Sequence, residues 1–254
     1  MNDNLKIAGN FSRCAKLYDS YCGLQNKAAA DLIDLIRGRD FYDILEIGCG
    51  TGNYTQMLRQ EFRCARIEAF DIASGMVEVA RSKLKDRDID FKVADAHLLN
   101  KEKSFDLVTS NACFQWLNSL EKVLSGYNTM LHSAGVILFS TFGPRTFCEL
   151  SASLGRVLEK SQISSSNFYD SLSIEKILKE NFKSVSVKEA IYRENFENLK
   201  MFLETIKNSG TRGQGMEKVF FNRKILNDLE QIYLEEFGKI SVTYQIFYCY
   251  GEKR

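Results

Sequence analysis

Asp43-Ile-Leu-Glu46-Ile-Gly48-Cys-Gly50-Thr-Gly52-Asn53 is a short apolar run, broken by one acid, that opens into three alternate glycines. Such a run predicts a buried strand. Glycines placed between it and a following helix at 54–62 let a ligand approach the backbone closely. A dinucleotide fingerprint requires G-x-G-x-x-G. Here the third glycine comes one residue early and position 53 is Asn, which favours a nucleoside ligand without a pyrophosphate. The next apolar run, Ile67-Glu-Ala-Phe-Asp71, ends in an acid that can accept hydrogen bonds from both hydroxyls of a ribose. A third run, Phe91-Lys-Val-Ala-Asp95, puts an acid where an adenine amino group would lie.

Outward from these segments the chain alternates strand and helix. Residues 24–37 carry Leu24, Ala28, Leu32 and Leu35 at helical spacing, and Gly38 stops the helix. Ser74 reads as the N-cap of a helix bearing Met76, Val77, Ala80 and Leu84. Strands at 105–110 and 136–140 flank a helical stretch at 119–131. Five strands with helical crossovers predict a doubly wound α/β sheet. Beyond Pro144, residues 145–182 read as helices. Strands at 184–191 and 242–250 bracket a helical insertion at about 195–237, and these later segments are the expected cover over the strand ends.

Composition narrows the function. The 254 residues include 34 basic and 33 acidic side chains, so net charge gives no reason to bind nucleic acid or membrane. The seven cysteines are scattered without a C-x-x-C pair, which argues against a disulfide framework, a zinc site or an iron–sulfur site. With only His97 and His132, a histidine metal centre or a Ser-His-Asp triad is hardly available. No metal is expected. Met1-Asn2-Asp3-Asn4 is polar and the apolar runs are short, so secretion and membrane insertion are disfavoured and a cytoplasmic location is expected.

Over residues 10–145 the combination of ILEIGCGTG, EAFDIASGM and VADAHLL resembles the class I S-adenosylmethionine-dependent methyltransferases. The resemblance implies a Rossmann-like fold in one domain spanning 1–254. It implies a seven-stranded, mostly parallel sheet with an antiparallel last strand, N-terminal helices and a helical lid insertion. The cofactor would be held by Tyr18, Glu46, Gly48, Gly50, Gly52, Asp71, Ile72, Met76, Asp95, Ala96, Asn111 and Phe114. The only proline, Pro144, lies between Gly143 and Arg145, so neither a D/N-P-P-Y/F tetrapeptide nor a Pro-Cys nucleophile exists and nucleic-acid methylation of those types is set aside.

A closer likeness lies outside the glycine loop, in Phe11-x-Arg13-x-Ala15-x-x-Tyr18-Asp19 with Gln25, in Ser110-Asn-Ala-Cys-Phe-Gln-Trp116, and in Phe139-Ser-Thr-Phe-Gly-Pro144-x-Thr146-Phe-x-Glu149-Leu150. Together these look like the malonyl-acyl-carrier-protein O-methyltransferases of biotin synthesis, although Leu99-Asn100 lacks that family's common proline. The resemblance implies methylation of a free malonyl carboxylate. A carboxylate is already ionised at pH 7, so no general base is required. Arg145 is the first candidate to hold it and Arg13 the second, with Tyr18 closing over the methyl group and Phe114 and Trp116 lining the channel. For Phe114 the competing reading is ordinary core. An acidic carrier protein would dock on Lys200, Lys207, Arg212, Lys218, Arg223 and Lys224, which face only two acids, Glu204 and Glu217, within residues 200–224. Gly210, Gly213 and Gly215 suggest a flexible lid there. A methyltransferase for a small free acid and a cofactor-binding partner subunit without activity stand as alternatives.

Overall fold

The computed structural model describes residues 3–85, 87–98, 104–158, 168–209 and 222–254. Its seven strands are β1 (Asp43–Ile47), β2 (Arg66–Asp71), β3 (Ile89–Val93), β4 (Phe105–Ser110), β5 (Leu131–Phe142), β6 (Phe182–Phe196) and β7 (Ile240–Lys253). They form one sheet in the order β3-β2-β1-β4-β5-β7-β6. The first five strands are parallel, and β7 runs antiparallel to both β5 and β6.

Helices α2 (Gly23–Ile36), α3 (Asn53–Glu61), α4 (Ser74–Lys83), α6 (Cys148–Leu158), α8 (Leu199–Asn208) and α9 (Arg223–Phe237) contribute to the core on one face. On the other face lie α5 (Leu120–Thr129) and α7 (Ser171–Asn181). Covering both faces explains why the central strands read as nearly continuous apolar runs. In β1, Ile44 joins one core cluster while Leu45 and Ile47 join the other. On α5, Leu120, Val123, Leu124 and Tyr127 recur at helical spacing and are all buried. Full burial of such apolar side chains contributes about 1.5–3 kcal/mol each.

Helix α1 (Asp3–Tyr18) belongs to neither layer. It packs on α4 through a small cluster of Cys14, Ala15, Ala73 and Met76, with Phe11 and Tyr18 against it. Gly75 permits this approach, since a Cβ there would lie 2.8 Å from the Ser12 carbonyl oxygen.

Several boundaries differ from the sequence expectation. Ala73, in extended conformation, is the N-cap of α4, and Ser74 is the first helical residue. Strand β3 ends at Val93, so Asp95 lies two residues beyond it. Strands β6 and β7 extend well past 184–191 and 242–250, because thirteen residue pairs of a long antiparallel ribbon hold each other extended. The insertion resolves into α8 and α9. Arg212, Lys218 and Gly210, Gly213 and Gly215 lie outside the described residues, as does the Leu99-Asn100 step.

Candidate active site

The carboxyl ends of β1, β2 and β4 and the segment after β3 open into one cavity enclosing about 770 Å³ of non-atom space, its mouth included. Helix α1 roofs it with Asn4, Ile7, Phe11 and Tyr18. Gly48 and Gly50 form one wall, and Phe70, Asp71, Ile72 and Met76 the next. Asp95, Ala96 and His97 close one end; Asn111, Ala112, Cys113, Trp116 and Leu117 close the side beyond β4.

Gly48 has a φ of +72°, and a Cβ there would fall 2.4 Å from Cys113 Sγ. Only glycine leaves that strip of backbone open. The Gly48 and Cys49 amides both donate to the Phe70 carbonyl, at 2.7 and 2.9 Å, which ties the loop to β2. Asp71 Oδ2 accepts from the Gly50 amide at 2.9 Å and Oδ1 from Ala73 at 2.8 Å. The carboxylate lines the cavity and keeps acceptor capacity beyond its backbone bonds. Burial pushes the Asp71 carboxyl above its ordinary value, against the backbone N–H groups that favour its ionised form.

At the far end, Asp95 Oδ1 accepts from the His97 amide at 2.9 Å and lies 2.8 Å from His97 Nδ1. Its Oδ2 accepts from Asn4 Nδ2 at 2.9 Å. His97 Nε2 meets the Asn118 carbonyl at 3.1 Å, so this side chain joins the segment after β3 to the segment after β4. The roof is aromatic: Phe11 stands edge-on to Trp116, with centroids 5.8 Å apart, and near Tyr18 at 6.5 Å. Among the described residues the lining carries two carboxylates and neither Lys nor Arg. The Cys113 thiol is pushed up to about 12, by burial and then by the nearby Asp71 charge, and so stays protonated at neutral pH.

Of the residues expected from sequence, Tyr18, Gly48, Gly50, Asp71, Ile72, Met76, Asp95, Ala96, Asn111 and Trp116 lie on this cavity. Five do not. Glu46 is buried beneath the glycine loop, with Oε2 lacking any partner. Gly52 packs against Leu84 and Ala80 at the start of α3. Phe114 is core, stacked on Phe139 and Tyr127. Arg13 is exposed and hydrogen-bonds Asn10 within α1. Arg145 is exposed just beyond the carboxyl end of β5, off the cavity lining, with Nη1 3.6 Å from Glu189 Oε1 and its amide donating to Gln245 Oε1. Asn4, Ile7, Phe70, His97 and Cys113 are lining residues not picked out from sequence. For His97 an adjacent signal existed, since an Asp two residues upstream commonly bonds the backbone in this way.

A methyltransferase domain model matches residues 45–139. A malonyl-[acyl-carrier protein] O-methyltransferase from Ilyobacter polytropus is 36% identical, the match covering 99% of this chain and 95% of that protein. The chain belongs to that family. A namesake from Acetivibrio thermocellus is 33% identical over 100% of this chain and 95% of its own length. Among solved structures, the YcgJ protein of Bacillus subtilis shares the fold with a TM-score of 0.62 at 16% identity, covering 90% of this chain and 98% of that one. A Haemonchus contortus phosphoethanolamine N-methyltransferase 2, solved with S-adenosyl-L-methionine, has a TM-score of 0.57 at 22% identity, covering 96% of this chain and 56% of that one.

The geometry fits the S-adenosylmethionine used by methyltransferases of this class. The Gly48 backbone leaves room where any side chain would intrude, and Asp71 has acceptor capacity for a ribose. The two carboxylates and the aromatic roof suit a sulfonium cation.

Proposed function

We propose that this protein transfers the methyl group of S-adenosylmethionine to the free carboxylate of malonyl-acyl carrier protein, giving the methyl ester from which a biotin precursor is built. The observation that carries the reading is full-length family membership on a chain whose glycine loop, Asp71 and Asp95 surround one cavity. When bound, the cofactor supplies an electrophilic methyl carbon. Asp71 and Asp95 hold its sugar and base. Ile72 and Met76 line the same wall and would pack beside the sugar, and Ala96 would lie against the adenine. Glu46 supports the loop from below.

The acceptor oxygen supplies the electron pair of the new O–C bond, the C–S pair stays with sulfur, and no proton moves. Catalysis is therefore mainly alignment and exclusion of water. Helix α1 would provide the exclusion through Ile7, Phe11 and Tyr18, and the Tyr18 ring would shield the cationic centre. Because Cys113 is kept as a thiol, no thiolate from it competes for the methyl group.

The carrier protein would dock on the groove between α8 and α9, which Lys200, Lys207 and Arg223 line, with Lys224 exposed beside it. Glu204 and Glu230 share that lining, so the three cations leave it net positive, the sign that complements an acidic partner. The test is one product assay comparing malonyl on carrier protein, malonyl on coenzyme A and free malonate. Carrier-linked malonyl should give the highest kcat/KM. Equal or better turnover of the free acid would reject the reading. Lys207→Glu with Arg223→Glu should raise KM for the carrier-linked substrate alone; an unchanged KM would remove the groove from the interface.

A further inference from the structure

An acceptor carboxylate entering this cavity meets no guanidinium or ammonium among its described lining residues, and Arg145 stands outside paired to Glu189. The side of the cavity beyond β4 instead presents Asn111. By sheet order, the sugar carboxylate on β2 and the base carboxylate after β3 place the nucleoside over β3, β2 and β1. The reactive end of the donor then lies toward β4, where Asn111 begins.

The Asn111 carboxamide is fixed at both atoms. Nδ2 donates to the Gln25 carbonyl at 2.9 Å. Oδ1 accepts from Ser140 Oγ at 2.7 Å. Ser140 Oγ itself accepts from the Ala112 amide at 2.9 Å, so the serine proton is directed to Asn111. A flipped amide would set oxygen against the Gln25 carbonyl, so the network fixes the orientation. One Nδ2 hydrogen is thereby used, and the other is left for a ligand.

The backbone is held just as firmly. Ala112 adopts a φ of +51°, a left-handed conformation that is uncommon for a residue with a Cβ. Its amide also donates to the Ser140 carbonyl at 3.1 Å, and its carbonyl accepts from Gln115 Nε2 at 2.7 Å. Thr141 in turn donates to Gln115 Oε1 at 3.2 Å. Strain kept in place by this many bonds at a cavity wall is characteristic of positions that orient a ligand.

We propose that the second Nδ2 hydrogen of Asn111 holds the acceptor carboxylate in line with the methyl carbon, and that Ser140 is its positioning residue. This rests on the carboxyl-methylation reading above. Neutral donors suit the place, because an Arg or Lys there would repel the cationic donor and pair with Asp71.

The experiment measures kcat/KM on malonyl-carrier protein and the Kd of S-adenosylhomocysteine by calorimetry, for wild type, Asn111→Ala, Asn111→Asp and Ser140→Ala. Asn111→Ala should lower kcat/KM about 10- to 100-fold, the range of a lost hydrogen bond to a charged group, and leave the Kd within about twofold. Ser140→Ala should lower kcat more than it raises KM. Asn111→Asp opposes like charge to the acceptor, so its deficit should shrink as pH is lowered toward 5 while that of Asn111→Ala does not. Unchanged kcat/KM in Asn111→Ala overturns the proposal, as does a Kd that weakens in parallel, which would make Asn111 a cofactor residue. A wild-type chain that binds the homocysteine product yet methylates no malonyl thioester overturns the functional reading and this proposal with it; full wild-type turnover with an unaffected Asn111→Ala overturns this proposal alone.

Discussion

Replacing Gly48 by alanine tests whether the glycine loop is dictated by conformation, by packing, or by both. The φ of +72° costs an L-residue about 1–2 kcal/mol. The added Cβ would sit 2.4 Å from Cys113 Sγ and 2.6 Å from Cys113 Cβ, an overlap costing about 1–3 kcal/mol if the core shifts to relieve it. Gly48→Ala should therefore lose about 2–5 kcal/mol, against a total stability of about 5–15 kcal/mol for a folded domain. The variant folds but is visibly weakened in a urea titration. Its partner variant separates the two costs. Cys113→Ala would relieve only the Sγ contact, since the Cβ–Cβ contact persists, whereas Cys113→Gly removes both. In a double-mutant cycle, Gly48→Ala with Cys113→Gly should show favourable coupling of about 1–3 kcal/mol, the conformational part staying uncorrected. A Gly48→Ala protein within about 0.5 kcal/mol of wild type, or a cycle without coupling, would refute the reasoning.

Glu46 is held up to about 8 by burial, with the Asp71 charge adding to it, so the folded protein keeps a proton that the unfolded chain releases near 4.3. Stability should fall as pH rises from about 4.3 toward 8, and Glu46→Gln should flatten that slope in denaturant titrations at several pH values; an unchanged slope would contradict the assignment. Phe114→Ala should cost about 3–5 kcal/mol of stability and leave homocysteine-product affinity nearly unaltered once folded, since its ring fills the core and not the cavity. Arg145→Ala should leave the thermal midpoint almost unmoved, an exposed pair such as Arg145–Glu189 being worth about 0–1 kcal/mol, and should lower kcat/KM on the malonyl substrate less than Asn111→Ala does. A larger loss in Arg145→Ala would return the carboxylate to the guanidinium.

The central strands were legible because both faces of the sheet are covered, which writes each as an apolar run, and because the loop glycines are demanded by backbone geometry. Asp71 and Asp95 were legible for a related reason: acids that follow buried runs on successive strands gather at one end of a parallel sheet. Other features depend on contacts between distant parts of the chain. Asn4 reaches Asp95 across 91 positions, and nothing local to it announces that bond. Ser74 lost the expected capping role because Ala73 lies extended, with its amide taken by Asp71. Arg145 follows β5 closely enough to suggest the pocket mouth. Which way a side chain leaves a turn is decided by its neighbours, here Gln245 and Glu189 on strands read only in outline from the sequence.

The electrostatics of the cavity explain why the two reactants would be handled by different kinds of residue. A sulfonium is a fixed cation, and two carboxylates with an aromatic roof lower its energy without moving a proton. A guanidinium about 4 Å from that cation would cost about 4 kcal/mol at an effective dielectric constant of 20, and it would neutralise Asp71 as well. A basic residue is therefore better kept outside, where it can attract the acidic carrier without facing the methyl donor. Inside, the anionic acceptor needs a donor without charge whose direction is already set. A carboxamide bonded to Gln25 on one side and Ser140 on the other meets that requirement, and it does so just beyond β4, the neighbour of the strand that leads into the glycine loop. The attraction between sulfonium and carboxylate then supplies the remaining charge complementarity, which neither reactant alone could draw from this lining.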